Sequence, residues 1–283
     1  MKKYSYRNFG HIPSYSLKTN ALSFMFGVPN LLKRFQAKNI MKEISPQTNE
    51  AILDFGCGSG YLTVELQRAG AKVSGLDVSH NVSHNALKDC YGINISIVES
   101  GIKSPYSDKS FDKIVASEVL PMIPNPEEFL IEMHRILKDE GTLFIINGFG
   151  RNRIKNLYDK KSVLYKILKF FFRDKFPLDY KEYVFKINKS FGTSQKNFIS
   201  IDDINKFLTR SNFETLKMAS IIRESESNYI SLFQFIYFLC SGNAVFRTSF
   251  FYFLYPLIRL LSMLSSNKMS NDHMVIKCKK KSC

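Results

Sequence analysis

From residue 50 to residue 147, compact apolar blocks alternate with stretches whose apolar positions recur every three or four residues. The compact blocks predict strands at 51–55, 72–78, 94–99, 111–117 and 141–147. Several are continuous apolar runs, as expected of strands covered on both faces. Residues 61–70 read as a helix. Another starts at Asn125, which caps, with Pro126 in the first helical position and Glu128 closing a capping box. Upstream, Leu31, Leu32, Phe35, Ile40, Met41 and Ile44 share one face of a helix predicted over 30–44. Alternating strand and helix argues for an α/β, doubly wound parallel sheet.

Past residue 148 the pattern changes. Residues 149–198 form a basic, Phe-rich insert, and 199–283 complete the α/β core, with a helix at 200–211 and strands at 213–223 and 273–280. Residues 1–49 are expected to form a helical lid, and 50–148 the cofactor-binding core. Within the last part, about 229–268 is an apolar helical insert. Tyr229 to Phe246 carries no charge, but Arg247, Pro256 and Arg259 interrupt the stretch after it, so it makes a poor membrane span. Core helix, pocket wall, dimer interface and membrane contact all remain open for it.

The 283 residues carry a formal charge of +15, a surface that attracts polyanions such as nucleic acid or an anionic lipid face. Twelve bases against four acids fall between 151 and 189. There Lys166-Ile167-Leu168-Lys169-Phe170-Phe171-Phe172 mixes bases and aromatics as an interfacial helix would. The five cysteines are scattered and form no CxxC, so no disulfide framework or zinc site is suggested. No apolar run follows Met1-Lys2-Lys3, and we expect a cytoplasmic protein, peripheral to the inner face of a membrane if the basic insert meets lipid.

The chemistry centres on Asp54-Phe55-Gly56-Cys57-Gly58-Ser59-Gly60, where the first strand turns into a helix through three glycines. Glycine lets a ligand lie against backbone. The second strand ends at Asp77, where a carboxylate can accept hydrogen bonds from both ribose hydroxyls. The spacing is not the GxGxxG that seats a pyrophosphate, and Asp54 beside the loop repels phosphate but tolerates an ammonium and a sulfonium. A zwitterionic amino-acid nucleoside, S-adenosylmethionine rather than a dinucleotide, suits such a crevice. His80 and His84 are spaced as ligands on one helix face, but no third ligand is evident and no metal is expected.

This loop resembles the first motif of class I S-adenosylmethionine-dependent methyltransferases. Ser104-Pro105-Tyr106-Ser107-Asp108-Lys109-Ser110-Phe111-Asp112 is similar to the L-P-F…S-F-D segment of that family's small-molecule subgroup. Glu132-Met133-His134-Arg135-Ile136-Leu137-Lys138-Asp139-Glu140-Gly141 resembles its E-x-x-R-V-L-K-P-G-G turn. The resemblance implies a Rossmann-like sheet of seven strands with the last one reversed. It also implies that Asp54, Gly56 and Gly58 hold the methionine portion, Cys57 lies within this cofactor-binding loop as a small packing residue, Gly60 permits close approach at the helix start, Asp77 binds the ribose and Val78 packs on the adenine. Where the family has an Asp meeting the adenine amino group, this chain has Ser100, with Glu99 beside it. Ser117 and Glu118, after the fourth strand, would face the methyl group or the acceptor, and a His common in the family shortly after is Met122 here.

Methyl transfer needs an aligned acceptor, exclusion of water and removal of any proton. Candidate bases are Glu118, His11 and His273. Methyltransferases acting on nucleobase amines usually show N/D-P-P-Y after the fourth strand; Ser117-Glu118-Val119-Leu120 stands there, which argues against nucleic acid. The resemblance and the apolar inserts together point to a small lipophilic acceptor, a lipid or isoprenoid, near an anionic membrane surface. An RNA- or protein-directed methyltransferase and a non-catalytic cofactor-binding scaffold are the alternatives. The oligomeric state is not read from the sequence.

Overall fold

The computed structural model describes residues 5–7, 12–14, 31–58, 60–78, 82–98, 103–148, 163–171, 199–229, 257–258, 260–261, 263–265, 268–270 and 273–281. In the region expected as a helical lid, β1 (Ser5–Arg7) and β2 (Ile12–Ser14) pair antiparallel, and α1 (Leu31–Ile44) follows. The core then runs β3 (Ala51–Phe55), α2 (Tyr61–Arg68), β4 (Lys72–Asp77), α3 (Val82–Tyr91), β5 (Ile95–Ile97) and β6 (Phe111–Ser117). A 3-10 turn at Leu120–Met122 leads to α4 (Pro126–Ile136) and β7 (Leu137–Gly148). Last come α5 (Val163–Phe171), α6 (Ile201–Arg210), β8 (Phe213–Ser220) and β9 (His273–Lys280).

Seven strands form one sheet in the order β5-β4-β3-β6-β7-β9-β8, and β9 runs antiparallel to both neighbours. This is the doubly wound sheet with a reversed final strand. Chain order reverses at β3: β4 lies on one side and β6 on the other, both parallel to it. That reversal opens a crevice at the carboxyl ends of the strands.

Successive side chains alternate between two apolar layers. Leu53, Leu143 and Ile145 join one, packed by Phe129 and Met133 of α4 and by Ile204 and Leu208 of α6. Ile52, Phe144 and Ile146 join the other, under Ile40 and Ile44 of α1 and Leu62 and Leu66 of α2. Both faces being covered explains why these strands read as unbroken apolar runs. Asn125 caps α4 by accepting the Glu128 amide at 3.4 Å, and Ser200 with Asp203 forms a reciprocal capping box on α6.

Several boundaries differ from expectation; the strand expected over 213–223 ends at Ser220. The last parallel strand begins at Leu137 rather than at 141, because Leu137 pairs with Phe111 before a register shift restores regular pairing at Lys113 and Thr142. The polar run Lys138-Asp139-Glu140 reads locally as a turn, and pairing with β6 overrides it. β5 is short because it is an edge strand with an exposed end. The basic insert is described only as α5, and 230–256 lies outside the described residues. No helix among the described residues is long and apolar enough to cross a membrane.

Candidate active site

The glycine loop leaves β3 at the point where strand order reverses. The amides of Gly56 and Cys57 both donate to the carbonyl of Leu76, at 2.7 and 3.1 Å, which ties the loop to the end of β4. Gly56 and Gly58 have φ of +69° and +53°, in the left-handed region. Their surroundings differ. A Cβ on Gly56 would run into the Val119 side chain, whereas one on Gly58 would meet nothing within 4 Å. Gly56 therefore serves close packing, and Gly58 faces open space.

Side chains grip Gly58 through both of its backbone polar groups. Its amide donates to Asp77 Oδ2 at 2.7 Å, and its carbonyl oxygen lies 2.8 Å from His84 Nε2. A carbonyl only accepts, so Nε2 carries the proton. Asp77 Oδ1 accepts the Val78 amide at 2.8 Å. The carboxylate, which offers about four lone-pair directions, thus stands at the carboxyl end of β4 directly beside the glycine loop. Val78, 55% exposed at the end of β4, offers an apolar surface to a base.

Asp54 is buried and accepts a hydrogen bond from Thr63 Oγ1 of α2 at 2.6 Å. It lies beneath the loop, adding negative charge behind the crevice. Cys57 is buried too; burial first, then the carboxylates of Asp54 and Asp77, push its thiol well above the ordinary range. It is a packing residue, not a nucleophile. The ligating atoms of Cys57, Asp77 and His84 lie within 4.8 Å of one another. His84 thus belongs to the loop's support through its bond to Gly58, and His80 is outside the described residues. Open space over Gly58, a carboxylate held beside it and acids in place of bases fit an adenosyl amino acid.

The two carboxyl-edge candidates on the acceptor side come together. Glu118 follows β6, and its Oε1 lies 3.7 Å from Nδ1 of His273, the first residue of β9. Ser117 is half-buried at the end of β6. Glu99, Ser100 and His11 lie outside the described residues.

The other two motifs prove to be one network, which sequence matching does not reveal. Glu132 Oε1 accepts from the Ser104 amide at 2.8 Å and from its hydroxyl at 2.6 Å. Arg135 donates to Glu132, to Asp108 and to the Tyr106 carbonyl. Burial by itself would raise the Glu132 carboxyl, but the bonds from Arg135 and Ser104 outweigh it and hold it below its ordinary range. The network fixes the segment leading into β6 against α4.

Fold and crevice together define an α/β protein built for a nucleoside cofactor. A family profile described as "Methyltransferase domain" matches residues 53–145. The chain is 27% identical over 226 residues to demethylmenaquinone methyltransferase of Chlorobaculum tepidum, covering 78% of this chain and 88% of that one. It is 35% identical over 108 residues to the mitochondrial ubiquinone biosynthesis O-methyltransferase of Dictyostelium discoideum, but that match spans 34% of the relative. Among solved structures, geranyl diphosphate C-methyltransferase from Streptomyces coelicolor, in complex with S-adenosyl-L-homocysteine, shares the fold. Its TM-score is 0.55 and its identity 15%, covering 88% of this chain and 79% of that one. The matched domain and these relatives support a class I S-adenosylmethionine-dependent methyltransferase. The chain is an enzyme of that class and its cofactor is S-adenosylmethionine, which when bound supplies an electrophilic methyl group on sulfur.

Proposed function

We propose that this methyltransferase acts on a quinone-type, lipophilic small molecule bearing a ring hydroxyl, and that it does so beside an anionic membrane surface. The reach of the similarity carries the reading. Likeness extends over 226 residues to the Chlorobaculum demethylmenaquinone methyltransferase and over 231 residues to the ubiquinone biosynthesis O-methyltransferase of Rickettsia felis, whose name gives oxygen as the acceptor, far beyond the cofactor core at 53–145. The cofactor core is common to many acceptors; what surrounds it distinguishes them.

Asp54, Gly56, Gly58 and Asp77 hold the cofactor in this reading, and Val78 packs on its base. Acceptor delivery falls to α5, where Ile167 and Phe170 are exposed, Phe170 by 72%, beside exposed Lys166 and Lys169. Apolar side chains flanked by lysines suit the boundary between acyl chains and anionic headgroups.

The deciding experiment incubates the purified chain with labelled S-adenosylmethionine and host extract, then separates lipid, polar small-molecule, RNA and protein fractions. Label should enter the lipid fraction and co-migrate with a quinone or its precursor. Label confined to RNA or protein overturns the reading. In liposome flotation the chain should rise with anionic vesicles and not with neutral ones.

A further inference from the structure

Across the three strands beside β3, the carboxyl edge of the sheet holds a second cluster: Glu118 after β6, Asn147 and Gly148 at the end of β7, and His273 at the start of β9. Glu118 adopts φ +59°, a left-handed conformation that a glutamate takes at an energetic cost. Strain of this kind gathers where a side chain must be aimed. The next residue, Val119, is the one packed against Gly56 of the cofactor loop. The cluster therefore adjoins the cofactor crevice on the side away from Asp77.

Two of its polar atoms, on His273 and Asn147, stand without a hydrogen bond among the described residues. Glu118 Oε2 accepts the Gly148 amide at 3.4 Å, and Oε1 lies 3.7 Å from His273 Nδ1, beyond hydrogen-bond length. Nδ1 of His273 and Oδ1 of Asn147 are sealed from water without a hydrogen-bond partner among the described residues. Burying such atoms unbonded is costly. The cost is recovered if the pair closes when a ligand arrives, as catalytic hydrogen bonds often tighten only in the bound complex. Gly148 is shaped for the ring: a Cβ there would lie 2.9 Å from its Cε1. The side chains are not wholly enclosed, His273 being 20% and Glu118 29% exposed, so the far edge of the imidazole can reach a ligand.

We propose that His273 and Glu118 are the proton-accepting pair for the acceptor hydroxyl. With Nδ1–H directed at the Glu118 carboxylate, Nε2 keeps its lone pair and takes the hydroxyl proton. The carboxylate then stabilises the imidazolium, as in other paired carboxylate–histidine bases. The oxygen freed of its proton forms the new bond to the methyl carbon, while the methyl–sulfur bond breaks and leaves its electron pair on a neutral thioether. The proposal rests on the reading that the acceptor is a ring-hydroxyl compound.

The test uses the full chain, S-adenosylmethionine and two catechols carrying a short prenyl tail, one plain and one nitro-substituted so that its hydroxyl is already ionised near neutral pH. His273→Gln and Glu118→Gln should each lower kcat on the plain catechol by about 10²-fold or more. S-adenosylhomocysteine affinity, read by calorimetry, should stay within about 2-fold, which also certifies the folded site. On the nitro-catechol the deficit should shrink to about 10-fold or less, because there is no proton left to remove. An equal deficit on both catechols, or no deficit on either, overturns the pair while leaving the acceptor class standing. A wild-type chain that binds S-adenosylhomocysteine but methylates neither catechol overturns both.

Discussion

His84 Nε2, on α3, lies 2.8 Å from the carbonyl oxygen of Gly58 in the cofactor loop. The histidine is buried, and Asp77 takes the amide of the same glycine. One residue with no side chain is thus fixed at both ends of its backbone, which presets the loop before a ligand arrives. Preorganisation of this kind raises affinity by lowering what binding must order.

Removing the histidine should therefore loosen the cofactor rather than the fold alone. We expect His84→Ala to weaken S-adenosylhomocysteine binding by about 5- to 10-fold, the worth of one hydrogen bond of roughly 1 kcal/mol. His84→Gln, whose amide can still donate, should recover part of the loss. Calorimetric titration decides it. Equal affinity in wild type and His84→Ala would show that the loop holds its shape unaided.

Asp77 braces Gly58, and in the proposed reading it also receives ribose hydroxyls. Asp77→Ala abolishes both and should cost at least about 10-fold in cofactor affinity, as expected for charge-assisted bonds. Asp77→Asn retains a single acceptor oxygen in place of two and should fall between alanine and wild type. Unchanged binding in Asp77→Ala would remove the ribose from this end of β4.

Much of this was legible in the sequence because the signals are local. Strand β3 at 51–55, β6 at 111–117 and β9 at 273–280 match the expected bounds, since apolar runs buried on both faces end sharply. The glycine loop and Asp77 were equally plain, a turn type and an acid at fixed spacing. What eluded the sequence depends on long-range placement. Nothing near His84 says that its helix face meets a backbone carbonyl twenty-six residues earlier, and its partnership with His80 was only a spacing. Glu118 and His273 were separate candidates; only the antiparallel return of β9 beside β7 joins them. Likewise, matching the motifs at Ser104 and Glu132 one by one conceals that each is the other's hydrogen-bond partner.

The glycines at 56 and 58 should respond in opposite ways to the same substitution. Gly56→Ala sets a methyl against the Val119 side chain in left-handed backbone, so the fold should suffer, by about 2–4 kcal/mol in denaturant unfolding. In Gly58→Ala the methyl points into open space, and only the left-handed backbone is strained, at about 1–2 kcal/mol. Its main effect should be on S-adenosylhomocysteine, weakened by about 10-fold or more, because the methyl occupies the space assigned to the ligand. A Gly58→Ala chain that binds normally would place the cofactor elsewhere.

Glu132 links the fold to pH. Its carboxyl sits below the ordinary value because the bonds from Arg135 and Ser104 outweigh the opposing effect of burial. The folded state therefore holds this proton less readily than the unfolded chain. The stabilisation is fully present above the unfolded value, about 4.3, and is lost as pH falls through the depressed folded one. Glu132→Ala strips Arg135 of one carboxylate and leaves the buried Ser104 amide without its acceptor, so it should cost about 2–4 kcal/mol at neutral pH. In urea unfolding, the gap between wild type and variant should narrow as pH drops from about 6 to about 3, because protonation undoes in the wild type what the mutation has already removed. Parallel stability curves across that range would mean that the carboxylate contributes no charge-dependent stability, and that shape alone joins the two motifs.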